Sequence, residues 1–290
     1  MRERGAIQVV VGGCARLARD ATICCGSVSF VFFVSSSLVW AAHPFITDDT
    51  GTQGKRNWQL ELQYEYARND ATAGTGAGSV TQVSKEGTFT PVLTYGLVES
   101  VDIALGLNHL NQRVTENGVV TEDSDGMGDS TLELKWRFYE SGGFSMAVKP
   151  GLLLATGDEN KGLGNGETSW GVNFIATYEA KPWAFSGNIA YGHARFKLPQ
   201  DEASSRSDLW RVSGAFTYAA RENLRLGGEA GVRSNPAKDD PFSPGATGRF
   251  AMAGLIYSPT DRIDLDIGYR IGLNDAEPDW TFLIGATFRW

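Results

Sequence analysis

Trp58-Gln59-Leu60-Glu61-Leu62-Gln63-Tyr64-Glu65-Tyr66 alternates large apolar and polar side chains without a break. Successive side chains of an extended chain point to opposite faces, so a period of two describes a ribbon with one apolar and one polar face. A helix would scatter the same residues around its circumference. The stretch therefore reads as a strand held between two unlike environments.

Working outward, the same design repeats to the end of the chain. The next apolar rows are Phe89-Pro91-Leu93-Tyr95, Val101-Ile103-Leu105-Leu107, Leu132-Leu134-Trp136-Phe138 and Phe144-Met146-Val148-Pro150-Leu152-Leu154. Further rows run from Trp170 to Tyr178, Trp183 to Tyr191, Trp210 to Tyr218 and Leu224 to Val232, and three more begin near Phe250, Ile263 and Trp280. Long connections are expected at 70–84, 114–129, 157–167, 197–208, 234–246 and 274–279, and short ones at 96–100, 140–143, 179–182, 219–222 and 258–262. Long and short connections alternate and join twelve strands. This asymmetry, with an even strand number, predicts an all-β fold: a transmembrane antiparallel β-barrel of about twelve strands with both termini periplasmic. Strands of roughly 10 to 13 residues are about twice the usual soluble length and match a tilted membrane crossing. Pro91 and Pro150 are expected at bulges or near strand ends, because proline cannot donate to a ladder.

Composition agrees. The 35 glycines and 11% aromatics favour strands and turns. Beyond the N-terminal region no apolar run of about 20 residues occurs, which excludes a polytopic helical membrane protein. A net charge of −8 without a Lys/Arg stripe excludes a nucleic-acid binder.

Arg2, Arg4, Arg16 and Arg19 precede the apolar stretch Ala21 to Val34, which leads into Ser35-Ser36-Ser37-Leu38-Val39-Trp40-Ala41. This is the pattern of a secretory signal peptide, with Val39 and Ala41 at the −3 and −1 positions of the cut. The expected organisation is a signal peptide at 1–41, a periplasmic N-terminal extension at 42–57 and the barrel at 58–290. Cys14, Cys24 and Cys25 all fall in the signal, and Ile23 and Cys24 do not suit a lipoprotein anchor. The mature chain then has no disulfide framework, and its 22 basic residues stand against 32 acidic ones. The extension is expected to tuck into the barrel mouth or to lie in the periplasm, with partial ordering favoured.

Aromatics sort by loop length. Trp58, Tyr95, Phe138, Phe144, Tyr178, Trp183, Tyr218 and Trp290 sit beside short turns or a terminus and predict a periplasmic girdle, while Tyr66, Trp170, Trp210, Phe250 and Trp280 predict an outer one. On the polar face, Glu61, Glu65, Asp102, Glu133, Glu229, Asp264 and Asp266 meet Lys135, Arg137, Lys149, Arg211, Arg225, Arg233, Arg270 and Arg289. Unpaired charges in a narrow barrel are poorly solvated, so this mixture predicts paired charges that either fill the interior or line a narrow polar path. Apart from Lys149 and Arg289, these are the residues expected to set bore and charge selectivity.

Covalent chemistry finds little support. Asp123, Asp125 and Asp129, around Gly126, make a weak candidate calcium loop that lacks the full spacing and distal Glu of an EF-hand. His43, His109 and His193 are the only histidines, and no nucleophile sits beside them in a recognisable pattern. Neither a resident metal nor a cofactor is expected.

Ala42-His43-Pro44-Phe45-Ile46-Thr47-Asp48-Asp49-Thr50-Gly51-Thr52-Gln53-Gly54, followed by Trp58-Gln59-Leu60-Glu61, resembles the outer-membrane transporter family associated with the meta-cleavage pathway of phenol degradation. So do Gly126-Met127-Gly128-Asp129 running into Leu132 to Phe138, and Pro150 to Gly157 with the Gly-rich loop that follows. Phe288-Arg289-Trp290 resembles the terminal aromatic signal by which outer-membrane barrels are recognised for insertion, with Trp in place of the more usual Phe. The resemblance covers essentially all of 42–290 and implies passive transport of small molecules, aromatic ones among them.

The function expected is a passive channel for small solutes in the outer membrane of a Gram-negative bacterium, not an enzyme. Its partners would be membrane lipid, lipopolysaccharide at the acidic loops and the barrel-assembly machinery, with no nucleic acid. Two alternatives are a closed structural or adhesive barrel, and a rim-site lipid hydrolase using His109 or His193.

Overall fold

The computed structural model describes residues 44–290. Its strands are β1 (Trp58–Ala73), β2 (Val80–Val98), β3 (Val101–Gly106), β4 (His109–Glu116), β5 (Val119–Met127), β6 (Ser130–Ser141), β7 (Phe144–Leu154), β8 (Ser169–Ala180), β9 (Trp183–His193), β10 (Asp208–Arg221), β11 (Leu224–Ser234), β12 (Thr247–Thr260), β13 (Ile263–Gly272) and β14 (Trp280–Arg289). All pairings are antiparallel, and β1 pairs with both β2 and β14, so the sheet closes on itself without an edge. β3 and β4 are two halves of one crossing, both paired to β2. β5 and β6 are likewise halves of the next, paired to β4 and β3. The fourteen segments therefore make the twelve crossings of an outer-membrane barrel.

Polarity is inverted relative to a soluble barrel. Trp136, Phe174, Ile189, Tyr269 and Ile284 are exposed on the outer surface, whereas Asp102, Glu133, Lys149, Arg211 and Arg270 are buried inside. The outward faces suit lipid and the inward faces hold the charges. At the short-turn end, Trp58 packs on Tyr95 at 4.5 Å and Trp183 on Tyr218 at 4.7 Å. At the opposite end, Trp280 packs on Tyr66 at 5.7 Å, and Trp170 on Tyr191 at 5.7 Å. The terminal residues meet at the closing seam, where Trp58 N donates to Trp290 O at 2.9 Å and Trp290 N to Trp58 O at 3.1 Å.

Phe250 departs from the expected outer girdle. It is completely buried, on the inward face of β12, with its ring against Gly231. The alternation there is ambiguous: Phe250, Met252 and Ile256 lie on one face, and Ala251, Ala253, Leu255 and Tyr257 on the other. Both rows are apolar, so periodicity could not choose the inward one.

Two expected long loops are mostly strand. β1 continues to Ala73 and β2 starts at Val80, which reduces the first loop to 74–79. β4 and β5 turn directly at Asn117-Gly118, with φ of 48° and 83°. Two successive residues of positive φ make the tight turn that matches strand twist, and Asn-Gly is its preferred pair. Pro91 and Pro150 lie inside their strands, not near the ends. Pro91 sits where β2 changes partner from β3 to β4, and its carbonyl accepts Leu107 N at 3.0 Å. Its missing donor thus faces the break in the neighbouring crossing. Pro150 lies in a gap of the β6–β7 ladder between the Glu133/Gly151 and Trp136/Val148 pairs.

Candidate functional site: a charged lumen and the segment inside it

The alternation on each strand turns Glu61, Glu65, Asp102, Glu133, Lys135, Arg137, Arg211, Arg225, Glu229, Arg233, Asp264, Asp266 and Arg270 to the inside of the barrel, together with Lys149 and Arg289. Many of them pair. Arg225 and Arg289 converge on Asp264 at 3.0 and 2.9 Å. Arg270 reaches Glu65 at 3.3 Å, and Arg233 binds Glu277 through two bonds of 2.6 Å. Arg137 turns to Glu140 at 3.2 Å, close to a short turn.

Residues 44–57 run inside this lumen. From the start of β1 the chain folds back at Arg56, whose N–H donates to Gly96 O. Gln53 N then donates to Asp102, and Thr52 Oγ1 to Glu99 O. Further in, Thr50 bonds Thr177 and Ser145, and Asp48 N donates to Asn188 Oδ1 at 2.8 Å, while Asn188 Nδ2 returns a bond to Asp48 O. Thr47 Oγ1 meets Ser213, and the backbone N–H groups of Ile46 and Thr47 both donate to Glu229. The route passes β3, β7, β8, β9, β10 and β11 in turn, so polar wall residues replace the hydrogen bonds that an isolated chain would otherwise make to water.

The end of this path is apolar. Phe45 packs with Met252, Ile256 and Leu283, a buried apolar cluster inside the charged lumen. Wall glycines make the room: a Cβ at Gly254 would meet Pro44 Cγ at 2.6 Å and Phe45 Cζ at 3.1 Å.

The firmest electrostatic anchor is Asp48, which receives Lys149 at 2.7 Å and Lys135 at 2.9 Å. Glu133 stands 3.5 Å from the same Lys149. Burial by itself raises the Asp48 carboxyl, but the two ammonium groups together outweigh it and hold the group below its ordinary 3.8. Beside the segment, toward β1, β2 and β14, remains a polar cavity of about 360 Å³, bounded by Asp49, Gln53, Glu61, Thr94, Asp266 and Arg289 among others.

The calcium-loop candidates are not brought together. Asp125 accepts from Asn111, Asp123 lies 3.8 Å from Arg113, and Asp129 is buried away from both. Asp129 instead takes the N–H groups of Thr156, Gly157 and Asn165, at 3.1, 2.9 and 2.8 Å. Its carbonyl accepts Asn108 Nδ2, which ties the two strand breaks to each other. Among the described residues no group of three or more His, Cys, Asp or Glu is placed to hold a metal. His109 lies 3.8 Å from Asp125, and His193 lies 3.0 Å from Asp208, which also accepts the Tyr191 hydroxyl. His43 and the signal-peptide residues lie outside the described residues. The wall partners Ser145, Thr177, Asn188 and Ser213 were not singled out by sequence; small polar residues at every second position on inward faces are the signal that marks them.

Residues 47–290 match the model of the family described as "Putative MetA-pathway of phenol degradation". The chain belongs to this family. The match opens at Thr47, so the family's shared sequence includes most of the intralumenal segment as well as the barrel. No curated protein matches the chain. Among solved structures it is similar to the COG4313 outer membrane channel from Pseudomonas putida F1, at 15% identity and a TM-score of 0.60, covering 83% of this chain and 98% of that one. It is also similar to the KdgM porin, at 6% identity and a TM-score of 0.50, covering 79% and 98%. The translocator domain of the autotransporter NalP from Neisseria meningitidis matches at 13% identity and a TM-score of 0.50, covering 83% and 91%. At such identities the likeness concerns the fold.

Proposed function

We propose that the protein is a passive outer-membrane channel for small solutes, its bore set by the gap between residues 44–53 and the β1, β2 and β14 wall. The observation that carries this reading is the polar cavity left beside a segment that is itself clasped by the wall. A barrel filled only for stability would not need charged residues along an unfilled side. Membership of a family described by phenol degradation supports aromatic compounds among the solutes.

On this reading residues 1–41 are a cleaved export signal, 42–57 are an N-terminal extension whose residues 44–57 form the intralumenal restraint, and 58–290 are the barrel. Phe288 and Trp290 present the insertion signal to the barrel-assembly machinery, and the acidic long loops face lipopolysaccharide. The lumen moves solutes without covalent chemistry.

The test is to refold residues 42–290 into a planar bilayer and record single-channel currents. Discrete, salt-dependent steps are the expected result, and a folded but silent barrel overturns the reading. Changing Arg225→Ala together with Arg233→Ala should shift selectivity toward cations, because acids then dominate the path.

A further inference from the structure

Arg68, Lys85 and Arg113 stand side by side on three neighbouring strands. Arg68 lies directly opposite Lys85 in the β1–β2 ladder, and Lys85 directly opposite Arg113 in the β2–β4 ladder. All three point outward. They continue the rows of Tyr64 and Tyr66 on β1, Phe89 and Leu93 on β2, and His109 and Asn111 on β4, whereas Asn69, Ser84 and Gln112 beside them are buried inside. Neighbouring strands lie about 4.8 Å apart, so three cations share a row about 10 Å long. Like charges directly opposite one another on one face are destabilising. Nearby acids relieve this only in part. Arg68 bonds Asp70 through Nε and Nη2, and Arg113 stands 3.8 Å from Asp123, beyond hydrogen-bond reach. Lys85 is exposed between the two arginines, with neither a hydrogen bond nor an ion pair among the described residues.

The height of the row in the wall is a second, independent observation. Trp280 lies opposite Arg68 on the other side of β1, and its ring packs on Tyr66, the outward residue one step below Arg68. The cations therefore sit at the outer aromatic belt, where lipid tails give way to head groups. Beneath them the same strands present Tyr64, Phe89 and Met127, an exposed and mostly apolar surface. The Tyr64 hydroxyl reaches up to Gly87, just beneath Lys85, where a Cβ would meet it at 2.8 Å. On the rest of the circumference, from β6 to β14, Arg249 is the one lysine or arginine on an outward strand position at this end among the described residues, and the residue opposite it is Val232.

We propose that Arg68, Lys85 and Arg113 form a binding site on the outer wall for the phosphates of lipid A, the phosphorylated glycolipid anchor of lipopolysaccharide. Phosphate oxygens accept charge-assisted bonds from guanidinium forks and an ammonium together, which removes the repulsion along the row. The acyl chains lie below, against Tyr64, Phe89 and Met127. This contact is direct and separate from the acidic loops, and it rests on the outer-membrane placement of the barrel, not on conduction.

The experiment titrates lipid A into the detergent-solubilised mature barrel and reads the complex by native mass spectrometry, with phosphate-free lipid A, phosphatidylglycerol and inorganic phosphate as comparison probes. Lipid A carrying both phosphates should bind at least tenfold more tightly than each of the three. Changing Arg68→Gln, Lys85→Gln and Arg113→Gln together should weaken it at least tenfold, and Arg249→Gln should leave it unchanged. Heat-modifiable gel migration reports folding. Should the triple variant misfold, Lys85→Gln alone, expected to cost at least threefold, and the ratio between phosphorylated and phosphate-free lipid A on the unchanged barrel decide independently. Binding should survive EDTA; loss on chelation would put the phosphates on cation-bridged acids such as Asp70 and Asp123 and overturn the direct contact. Equal binding of phosphate-free lipid A or of phosphatidylglycerol overturns the site, as does inorganic phosphate binding as tightly as lipid A or a folded triple variant with full affinity. Planar-bilayer currents keep the two ideas apart: a silent barrel that binds lipid A sinks the channel and keeps the site, whereas a conducting barrel without phosphate-dependent binding does the reverse.

Discussion

Asp48 and Lys149 meet at 2.7 Å in the interior of the barrel, each with 4% of its side chain exposed. The acid belongs to the intralumenal segment and the base to β7, so the pair joins two parts of the chain that the barrel ladder does not connect. Removing one partner of a buried pair leaves an uncompensated charge and costs about 3–5 kcal/mol. Asp48→Asn takes from Lys135 its carboxylate and leaves Lys149 only the more distant Glu133 at 3.5 Å, so the segment should leave its seat. Single-channel conductance should rise severalfold. The carboxyl is held below its ordinary 3.8, so its contribution is complete above that pH and is lost as pH falls through the lowered value. The difference between the unchanged protein and Asp48→Asn should therefore be constant at neutral pH and shrink below about pH 4. A variant with unaltered conductance at pH 7 would remove this pair from the restraint.

Gly254→Leu tests the same seat without changing any charge. The added side chain would occupy the space of Pro44 and Phe45, whose atoms lie 2.6 and 3.1 Å from a Cβ there. Overpacking of this kind costs roughly 1–3 kcal/mol. The conductance change should have the sign of Asp48→Asn. Agreement between an electrostatic and a steric variant would tie the effect to the segment, whereas a conductance that falls would mean the leucine simply narrows the bore.

The barrel was legible because its rule is local: every second residue on each strand faces lipid, and a short alternating stretch carries that information. The lumen-facing charges followed from the same register. Phe250 was misassigned because β12 is apolar on both faces, and only the ladder chooses between them. The Asn117-Gly118 turn was legible in principle, since the pair is a strong hairpin signal, but the acidic stretch around it read as loop. The contacts of residues 44–53 were not legible. Asp48 finds Lys135 and Lys149, and Ile46 finds Glu229, through closure of the barrel around them. Alternation gives the face of a residue but not its partner across a lumen.

Asp129 acts as an acceptor for backbone groups rather than as a calcium ligand, and the two roles predict opposite responses. Asp129→Ala removes the acceptor of the Thr156, Gly157 and Asn165 N–H groups. An unsatisfied buried donor costs about 1–3 kcal/mol, so thermal stability should fall and the loop beyond β7 should lose protection from hydrogen exchange. Chelator should leave the unchanged protein's melting temperature where it was. A chelator-induced drop that calcium reverses would restore the metal reading.

Asp240, in the loop between β11 and β12, gives a pH response confined to one outer connection. Burial pushes its carboxyl up to about 6, against partial compensation by the N–H of Phe242 at 2.8 Å. The ordered loop therefore binds a proton more tightly than the opened loop, whose carboxyl has the ordinary value of 3.8. That contribution is fully present below the ordinary value and is lost as pH rises through about 6, so the loop should be better ordered at pH 5 than at pH 7.5. Hydrogen exchange over 235–246, corrected for the intrinsic pH dependence of exchange, reads this directly. Asp240→Asn, which stays neutral and offers the same oxygen to Phe242, should show the protected state at both pH values. Equal protection at pH 5 and 7.5 in the unchanged chain would mean that opening the loop does not change the environment of this carboxyl.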